Sequence, residues 1–597
     1  KSRYQSLIEG AIKPQWALLG ATFIAICSFL PLYLAPASVA EIVKPLFVVL
    51  AVSLGLSWIL ALCQTTTFGN FILKEAVPGG AMKDPYDTKL YHRFEKFLTL
   101  LIKRRFVTLT TVFVTLVLSL VIMAVMPQSF FPKMNKPYFR ADLVFPEGFS
   151  IHAVDQDVMK VEDYLKNHEK VKSYSVTLGG TPLRYYLASS SFGPKSNYAN
   201  VMVETKDPED AAEVEQQFYE HMTQNFPNII TRSALFALSP VPEAAIEIGF
   251  IGENPDTLTA LVERAKKIAR QCDMVTDIRS NWGDKVPVWK PMFSQQKGLR
   301  LGITRQQVAN SFRTATNGLP LGEYREGDVS LPILLKDEDV EKMNLNDVKS
   351  VPVFSTKGNS VKVEQVIDNF ALGYDYNVVR RFNRERCMMM QCEPKRGANT
   401  MAAFKQVLTA VQEQMQLPEG YKMKYFGEQE TQDVSNAALA KNIPLTFLLI
   451  YVVLLFLFPS NYRKPVLIML MLPLVFIGVV WGLLLFGKSL DFFAILGLLG
   501  LIGMNIKNAI VLVDEIGLQL KDGKGAVPAV VEATKTRIVP VTMASGTTIL
   551  GMLPLLGDAM FAGMAATIMG GLFVSTVLTI FVLPVTYCIF FKIRADR

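Results

Sequence analysis

The sequence predicts a polytopic α-helical membrane protein that carries a large external α+β region. Three observations lead there. Eight apolar runs are each long enough to cross a hydrocarbon layer of ~30 Å as a helix. They cluster at the two ends of the chain, and the stretch between them alternates short strand patterns with amphipathic helix patterns. Half of the 597 residues are apolar and 19% are charged. That is too few charges for a soluble protein and too many for a wholly embedded one. At ~150 residues per domain the length allows about four units. Disorder and collagen are excluded by composition. Six cysteines exclude a disulfide scaffold.

The runs are Pro14–Leu34, Pro45–Leu62, Phe106–Met126, Ala437–Phe458, Pro465–Phe486, Phe492–Ile516 and Val539–Leu556. An eighth, Ala562–Phe591, is expected to break at Pro584. The N-terminal stretch is too charged for a secretory signal and lacks a small-residue cleavage site. Loop charge sets the orientation. Lys83, Lys89, Arg93, Lys96, Lys103, Arg104 and Arg105 follow the second run. Arg463 and Lys464 precede Pro465; Lys521, Lys524, Lys535 and Arg537 precede Val539; Lys592, Arg594 and Arg597 close the chain. Ala35–Lys44 and Gly557–Phe561 are poor in cations. The basic loops are therefore expected to be cytoplasmic, with Pro127–Asn436 outside. The net charge of +8 is read as this topology signal rather than a nucleic-acid footprint. Tyr86–Arg105 reads as an amphipathic basic helix on the inner leaflet.

The external region reads as two sets of strand–helix–strand units, the split βαβ pattern. The first comprises strands at Tyr138–Phe145, Lys172–Leu178 and Asn200–Lys206, with helices at His152–Asn167 and Pro208–Asn225. The second begins with a strand at Ala245–Phe250 and a helix at Pro255–Arg270. It resumes with Cys387–Cys392, Thr400–Met415 and Lys422–Phe426. Val275–Arg384, richer in Gly, Pro and turn signals, reads as an insertion into the second set.

The first and seventh runs both end in Leu-Pro-Leu, at Leu30 and Leu553, 523 positions apart. Ser53 and Ser575 match at nearly the same offset, which suggests a duplication. On that reading the chain holds the end of one repeat and all of a second.

Lys507 is the most informative residue. Apolar and small residues surround it, with Asn505 and Asn508 as its polar neighbours in sequence. A mid-membrane lysine costs ~2.5–3.5 kcal/mol on insertion scales and normally faces a partner or a polar pathway. Asp514 is two turns away, roughly 10 Å at 1.5 Å per residue. The expected counter-charge is therefore a carboxylate on another helix, serving either a static ion pair or a proton-switched one. Thr542, Ser545, Thr547 and Thr548 place hydroxyls on the seventh run, as helix-gluing groups or as part of a proton relay. Cys387, Met388, Met389, Met390 and Cys392 alternate along a strand, which argues against one soft-metal site. The four histidines, His92, His152, His168 and His221, have no zinc-like spacing. No Walker-type phosphate loop or nucleophile–base constellation is visible, so no enzyme activity, metal or cofactor is expected.

Three segments resemble the resistance-nodulation-division (RND) transporters, in particular their hydrophobe and amphiphile efflux branch. They are Phe130-Phe131-Pro132 with Tyr138–Gly148, then Gly322–Gly327, and Gly503–Glu515, the last being the most specific. The resemblance covers the whole chain, from the family's fifth transmembrane helix to its twelfth. It implies helices five and six with the amphipathic helix at 1–105 and helix seven at 106–126. It further implies a periplasmic porter subdomain at 127–240 and a second at 241–274 and 385–436. A docking subdomain at 275–384 and helices eight to twelve at 437–597 complete the division.

It also implies proton antiport that exports hydrophobic small molecules such as drugs. The implied setting is a homotrimer in a Gram-negative inner membrane, docked to a periplasmic adaptor (membrane fusion) protein and an outer-membrane channel protein. Lys507 matches the family's helix-ten lysine, which pairs with two adjacent helix-four aspartates; at the 523 offset these fall before Lys1. Asn505, Asn508, Ser545 and Thr548 would complete the proton relay, since Ala544 stands at the family's usual threonine position. Tyr185, Tyr186 and Phe192, in Gly179–Asn200, match an aromatic loop of the family's external cleft and would contact substrate. The alternatives are an RND-type transporter of lipids or envelope components, and a non-transporting scaffold or sensor half of a larger assembly. A metal cargo is disfavoured, because by resemblance that branch lacks the lysine.

Overall fold

The computed structural model describes residues 3–12, 15–34, 38–72, 86, 88–128, 135–184, 194–236, 243–337, 347–355, 358–459 and 461–593. Tyr185, Tyr186, Phe192, the Phe130–Pro132 motif, Lys83, Arg594 and Arg597 lie outside them. Among the described residues, eight helices are long and apolar enough to cross a membrane. They are Gln5–Leu34, Lys44–Ile72, Arg105–Val125, Glu428–Leu457, Arg463–Leu485, Phe492–Lys521, Ala526–Gly557 and Ala562–Phe590, named here the first to eighth spans.

Three details depart from the sequence reading. The seventh span starts at Ala526, so Lys535 and Arg537 are helical rather than loop cations. Arg537 donates from Nη2 to Glu515 Oε2 of the sixth span at 2.5 Å, a pairing that lets a guanidinium extend the helix. The eighth span runs through Pro584 without a break. Val582, Leu583, Val585 and Tyr587 around that proline are all buried, and packed neighbours hold a turn that one missing N–H weakens. Both Leu-Pro-Leu segments follow an interruption, at Phe29 and after Met552.

Close packing rests on small residues. A Cβ added to Gly570 of the eighth span would lie 2.4 Å from Gly482 Cα and 2.7 Å from the Gly478 carbonyl oxygen of the fifth. Two backbones therefore touch there, the arrangement that lets helices associate in lipid. The basic helix Lys89–Lys103 buries Phe94, Leu98 and Ile102, spaced four apart, towards the seventh and eighth spans. Phe94 and Phe97 each meet Phe581, at 5.6 and 5.4 Å between ring centroids.

The first external module is β1 (Tyr138–Val144), α1 (Ile151–Lys166), β2 (Val171–Leu178), β3 (Tyr198–Thr205), α2 (Ala211–Asn225) and β4 (Ile230–Leu235). Its sheet order is β2-β3-β1-β4, every pair antiparallel, as two interleaved split βαβ units require. Alternation along β1 buries Phe139, Ala141 and Leu143 against Val154, Val158 and Phe218 of the helices. Ser150 caps α1 by accepting from the Ala153 N–H.

The second module starts with β5 (Ile246–Ile251), α3 (Pro255–Ala269) and β6 (Val275–Ser280). β6 is a sheet strand paired with a later one, so the insertion does not begin at Val275 as the composition suggested. The inserted unit is Trp282–Arg380. Within it, β7 (Lys285–Phe293) pairs with a later strand, and β8 (Leu319–Glu326) forms a hairpin with β9 (Val329–Leu335) that carries the Gly322–Gly327 match. β10 (Pro352–Phe354) pairs with β11 (Ser360–Lys362), and β12 (Ile367–Tyr376) is the partner of β7. Ile303, Val308, Val351, Val353, Val363 and Val366 make its core.

The second module resumes with β13 (Arg381–Phe382), β14 (Glu385–Pro394), α4 (Thr400–Gln414) and β15 (Lys422–Gly427). β15-β5-β14-β6 repeats the order of the first sheet. The insertion therefore occupies the connection between the second and third strands of its module. In the first module the same connection carries Tyr185, Tyr186 and Phe192. On β14, Cys387 packs with Ile251 and Phe426 on one face, while Met388, Met390 and Cys392 are buried on the other.

Glu247, on β5, is a buried acid. Its Oε1 accepts from Ala244 N at 3.1 Å and Gln391 Nε2 at 2.8 Å. Burial pushes its pKa up to about 7, and the Glu243 charge adds to the rise against the Gln391 hydrogen bond. The folded state therefore holds this proton more tightly than the unfolded chain. Its contribution to stability falls as pH rises from about 4.5 to about 7 and the penalty is complete above that. Glu247→Gln is expected to raise the melting temperature at pH 8, by an amount equivalent to about 3 kcal/mol at most, and to leave it unchanged at pH 4. Thermal melts of the purified protein in detergent at the two pH values check this.

Candidate functional site

The sixth span positions the candidate site. Asp491 caps its start, accepting from the Ala494 N–H at 2.6 Å. Small residues then let neighbours approach closely. A Cβ on Gly497 would meet the Met564 backbone of the eighth span at 3.0 Å, and one on Gly503 would meet Ala25 of the first at 2.8 Å. The helix is thereby held between other spans, and the two asparagines are buried.

Asn505 is 3% exposed and Asn508 8%. Asn508 Nδ2 donates to Ser545 Oγ of the seventh span at 3.4 Å. The hydroxyls of Ser545 and Thr576, the latter on the eighth span, lie 2.6 Å apart, and Thr576 Oγ1 is also 2.7 Å from the Leu572 carbonyl oxygen. A carbonyl only accepts and each hydroxyl has one proton. A consistent assignment therefore runs from Asn508 to Ser545, from Ser545 to Thr576, and from Thr576 to Leu572. Thr579 Oγ1 reaches Asn505 Oδ1 at 3.5 Å. Three spans are thus tied by one short polar ladder in an apolar interior.

Of the residues named from sequence, the structure brings Asn505, Asn508 and Ser545 together. Thr548 stays apart: its hydroxyl turns back to the Ala544 carbonyl oxygen at 3.0 Å. Thr542 and Thr547 do the same on exposed faces. Their β-hydroxyls satisfy themselves on the preceding turn, as mid-helix threonines do. The sequence reading missed Thr576 and Thr579. Their signal was two hydroxyls three residues apart, on one face of an otherwise apolar helix.

Lys507 points elsewhere. At 100° per residue it lies about 40° from Gly503 and about 100° from Asn508. Its side chain is exposed. Among the described residues it has no ion-pair partner. Glu515 is taken by Arg537. The ammonium and the asparagine ladder therefore occupy adjacent faces of one helix, the first open and the second closed.

The eight spans among the described residues, the two copies of the split βαβ sheet and the unit inserted in the second follow the RND transporter fold, in a chain built to cross the membrane many times. The chain belongs to the AcrB/AcrD/AcrF family, whose model matches residues 2–591. It is 22% identical to the swarming motility protein SwrC of Bacillus subtilis, over 100% of this chain and 56% of that protein. With the nickel and cobalt resistance protein CnrA of Cupriavidus metallidurans it shares 27% identity over 58% of this chain and 33% of CnrA. With the multidrug export protein AcrF of Escherichia coli the identity is 23%, over 96% of this chain and 57% of AcrF. The crystal structure of a heavy metal efflux pump superposes with a TM-score of 0.76 at 18% identity, covering 96% of this chain and 57% of that one. The likeness is one of fold. The chain spans about half the length of most of these relatives.

Proposed function

We propose that the chain works in proton-driven export of hydrophobic and amphiphilic compounds. The observation that carries this reading is Lys507, an ammonium on an open face of an apolar span with no ion-pair partner among the described residues. Such a charge calls for a carboxylate on a facing helix. Protonation of that carboxylate releases the lysine, the sixth span shifts against the helix that carries the carboxylate, and the external modules alternate between open and closed. The Asn508–Ser545–Thr576 ladder keeps the sixth, seventh and eighth spans moving as one body. The working assembly on this reading is a homotrimer in the inner membrane of a Gram-negative bacterium. Adaptor and outer-membrane channel proteins carry substrate outward, and the Tyr185, Tyr186 and Phe192 loop receives it. The multidrug export function named for AcrF supports the cargo.

A second reading, export of metal ions, is favoured by the nickel and cobalt resistance named for CnrA. Accumulation of a lipophilic cationic dye and sensitivity to nickel and cobalt, in cells with and without the gene, separate the two. Dye exclusion with unchanged metal sensitivity is the expected result. Metal resistance with unchanged dye uptake would replace the first reading by the second.

A further inference from the structure

Glu243–Ala245, just before β5, are held from several sides. Arg232 of β4 donates from Nη1 to the Glu243 carbonyl oxygen at 2.7 Å, and Arg279 of β6 donates to the same oxygen from Nη2 at 2.9 Å. The Ala244 N–H is bonded to Glu247 at 3.1 Å and the Ala245 N–H to Glu393 Oε2 at 3.2 Å. The Glu428 N–H, at the start of the fourth span, donates to the Ala245 carbonyl oxygen at 3.4 Å. Three consecutive residues are thus fixed by the first module, the second module and a membrane helix. Asp277 and Glu393 pair with Arg279 behind them, and burial raises the pKa of both acids.

A second tie joins the modules. Arg396, in the turn between β14 and α4, grips Glu215 of α2 with both terminal nitrogens, at 2.7 and 2.6 Å. Ser233 of β4 donates to Glu215 Oε1 at 2.5 Å and accepts from Arg396 Nη2 at 2.9 Å. The guanidinium lies 4.3 Å from the Tyr219 ring centroid. The side chain of Glu215 is 8% exposed and that of Arg396 37%. The carboxylate is fixed in its own module, while its partner enters from the other module and from the water side. A two-pronged, charge-assisted contact of this kind is made or lost as a whole, and losing it leaves a buried carboxylate under-satisfied.

We propose that the Arg396–Glu215 contact is a latch between the two external modules, made and released as a unit, separate from the point where Glu243–Ala245 is pinned to both. The latch rests on the transport reading only for its purpose; its existence is read without substrate or gradient. Hydrogen–deuterium exchange of the purified full chain in detergent tests it, on wild type, Arg396→Gln, Glu215→Gln and the double variant. Peptides over 211–219 and 395–402 are expected to exchange about tenfold faster in each single variant. The double variant is expected to add little to the singles, and β1 and β5 to keep wild-type protection. Arg396→Lys, which keeps the charge but not the fork, is expected to fall between. Unchanged exchange in the single variants would overturn the latch. So would equal acceleration in β1 and β5, which would make the contact a support of the modules' own folds. Either result would leave the export reading standing.

Discussion

Lys507→Met is expected to abolish export while the protein remains folded and in the membrane. Methionine keeps the length and most of the apolar stem of lysine and removes the charge. The side chain is exposed on the sixth span and packs in none of the buried clusters, so truncating its charge opens no cavity. A lysine that merely faced lipid would be improved by the change, by roughly 2.5–3.5 kcal/mol of insertion free energy, and one in a static ion pair would leave its carboxylate unpaired and lower the yield of folded protein. A coupling lysine would be lost with everything that depends on it. The roles thus predict different results from one substitution: only a coupling lysine loses export at normal folded yield. Membrane-fraction yield, a single symmetric gel-filtration peak and dye accumulation in cells decide between them. Lys507→Arg, keeping the charge in a wider head group, is expected to retain a part of the activity.

Gly570→Leu is expected to remove the folded protein altogether. The Cβ of any substituent would sit 2.4 Å from the Cα of Gly482, and backbone cannot step aside as a flexible side chain can. Overpacking of a core costs about 1–3 kcal/mol even where neighbours repack; here the fifth and eighth spans would have to separate along their contact. Gly482→Leu is expected to do the same from the other side, its Cβ falling 2.6 Å from the Ala566 carbonyl oxygen. Gly546→Ala and Gly551→Ala are the controls, because a Cβ at either meets nothing within 4 Å. Yield of extractable, monodisperse protein separates the pairs, and equal yields for all four variants would contradict the packing.

Much of this fold is legible in the chain because two periodicities are strong. Runs that must cross hydrocarbon are long, and alternation in β1 or a four-residue stripe in the basic helix survives inspection. What was not legible depended on partners far away in sequence. Pro584 breaks a helix in isolation but not one surrounded by Val582, Leu583 and Tyr587 in a packed bundle. Val275–Ser280 is short and polar enough to pass for a loop until Met390 and Gln391 of β14 are set beside it. The same holds within the site. Asn505, Asn508 and Ser545 stand out as polar groups in apolar runs, whereas which hydroxyl of a threonine-rich helix faces them is fixed by helix rotation. That rotation turns Thr548 back onto its own backbone and turns Thr576 and Thr579 inward.

Reconstitution into proteoliposomes with an imposed pH gradient tests the coupling claim most directly. Lumenal pH and the concentration of a lipophilic dye are followed together, for wild type and Lys507→Met. Dye movement accompanied by counter-movement of protons in the wild type, with both absent in Lys507→Met, is the predicted result. Dye transport indifferent to the gradient, or proton-linked transport persisting in Lys507→Met, would contradict it.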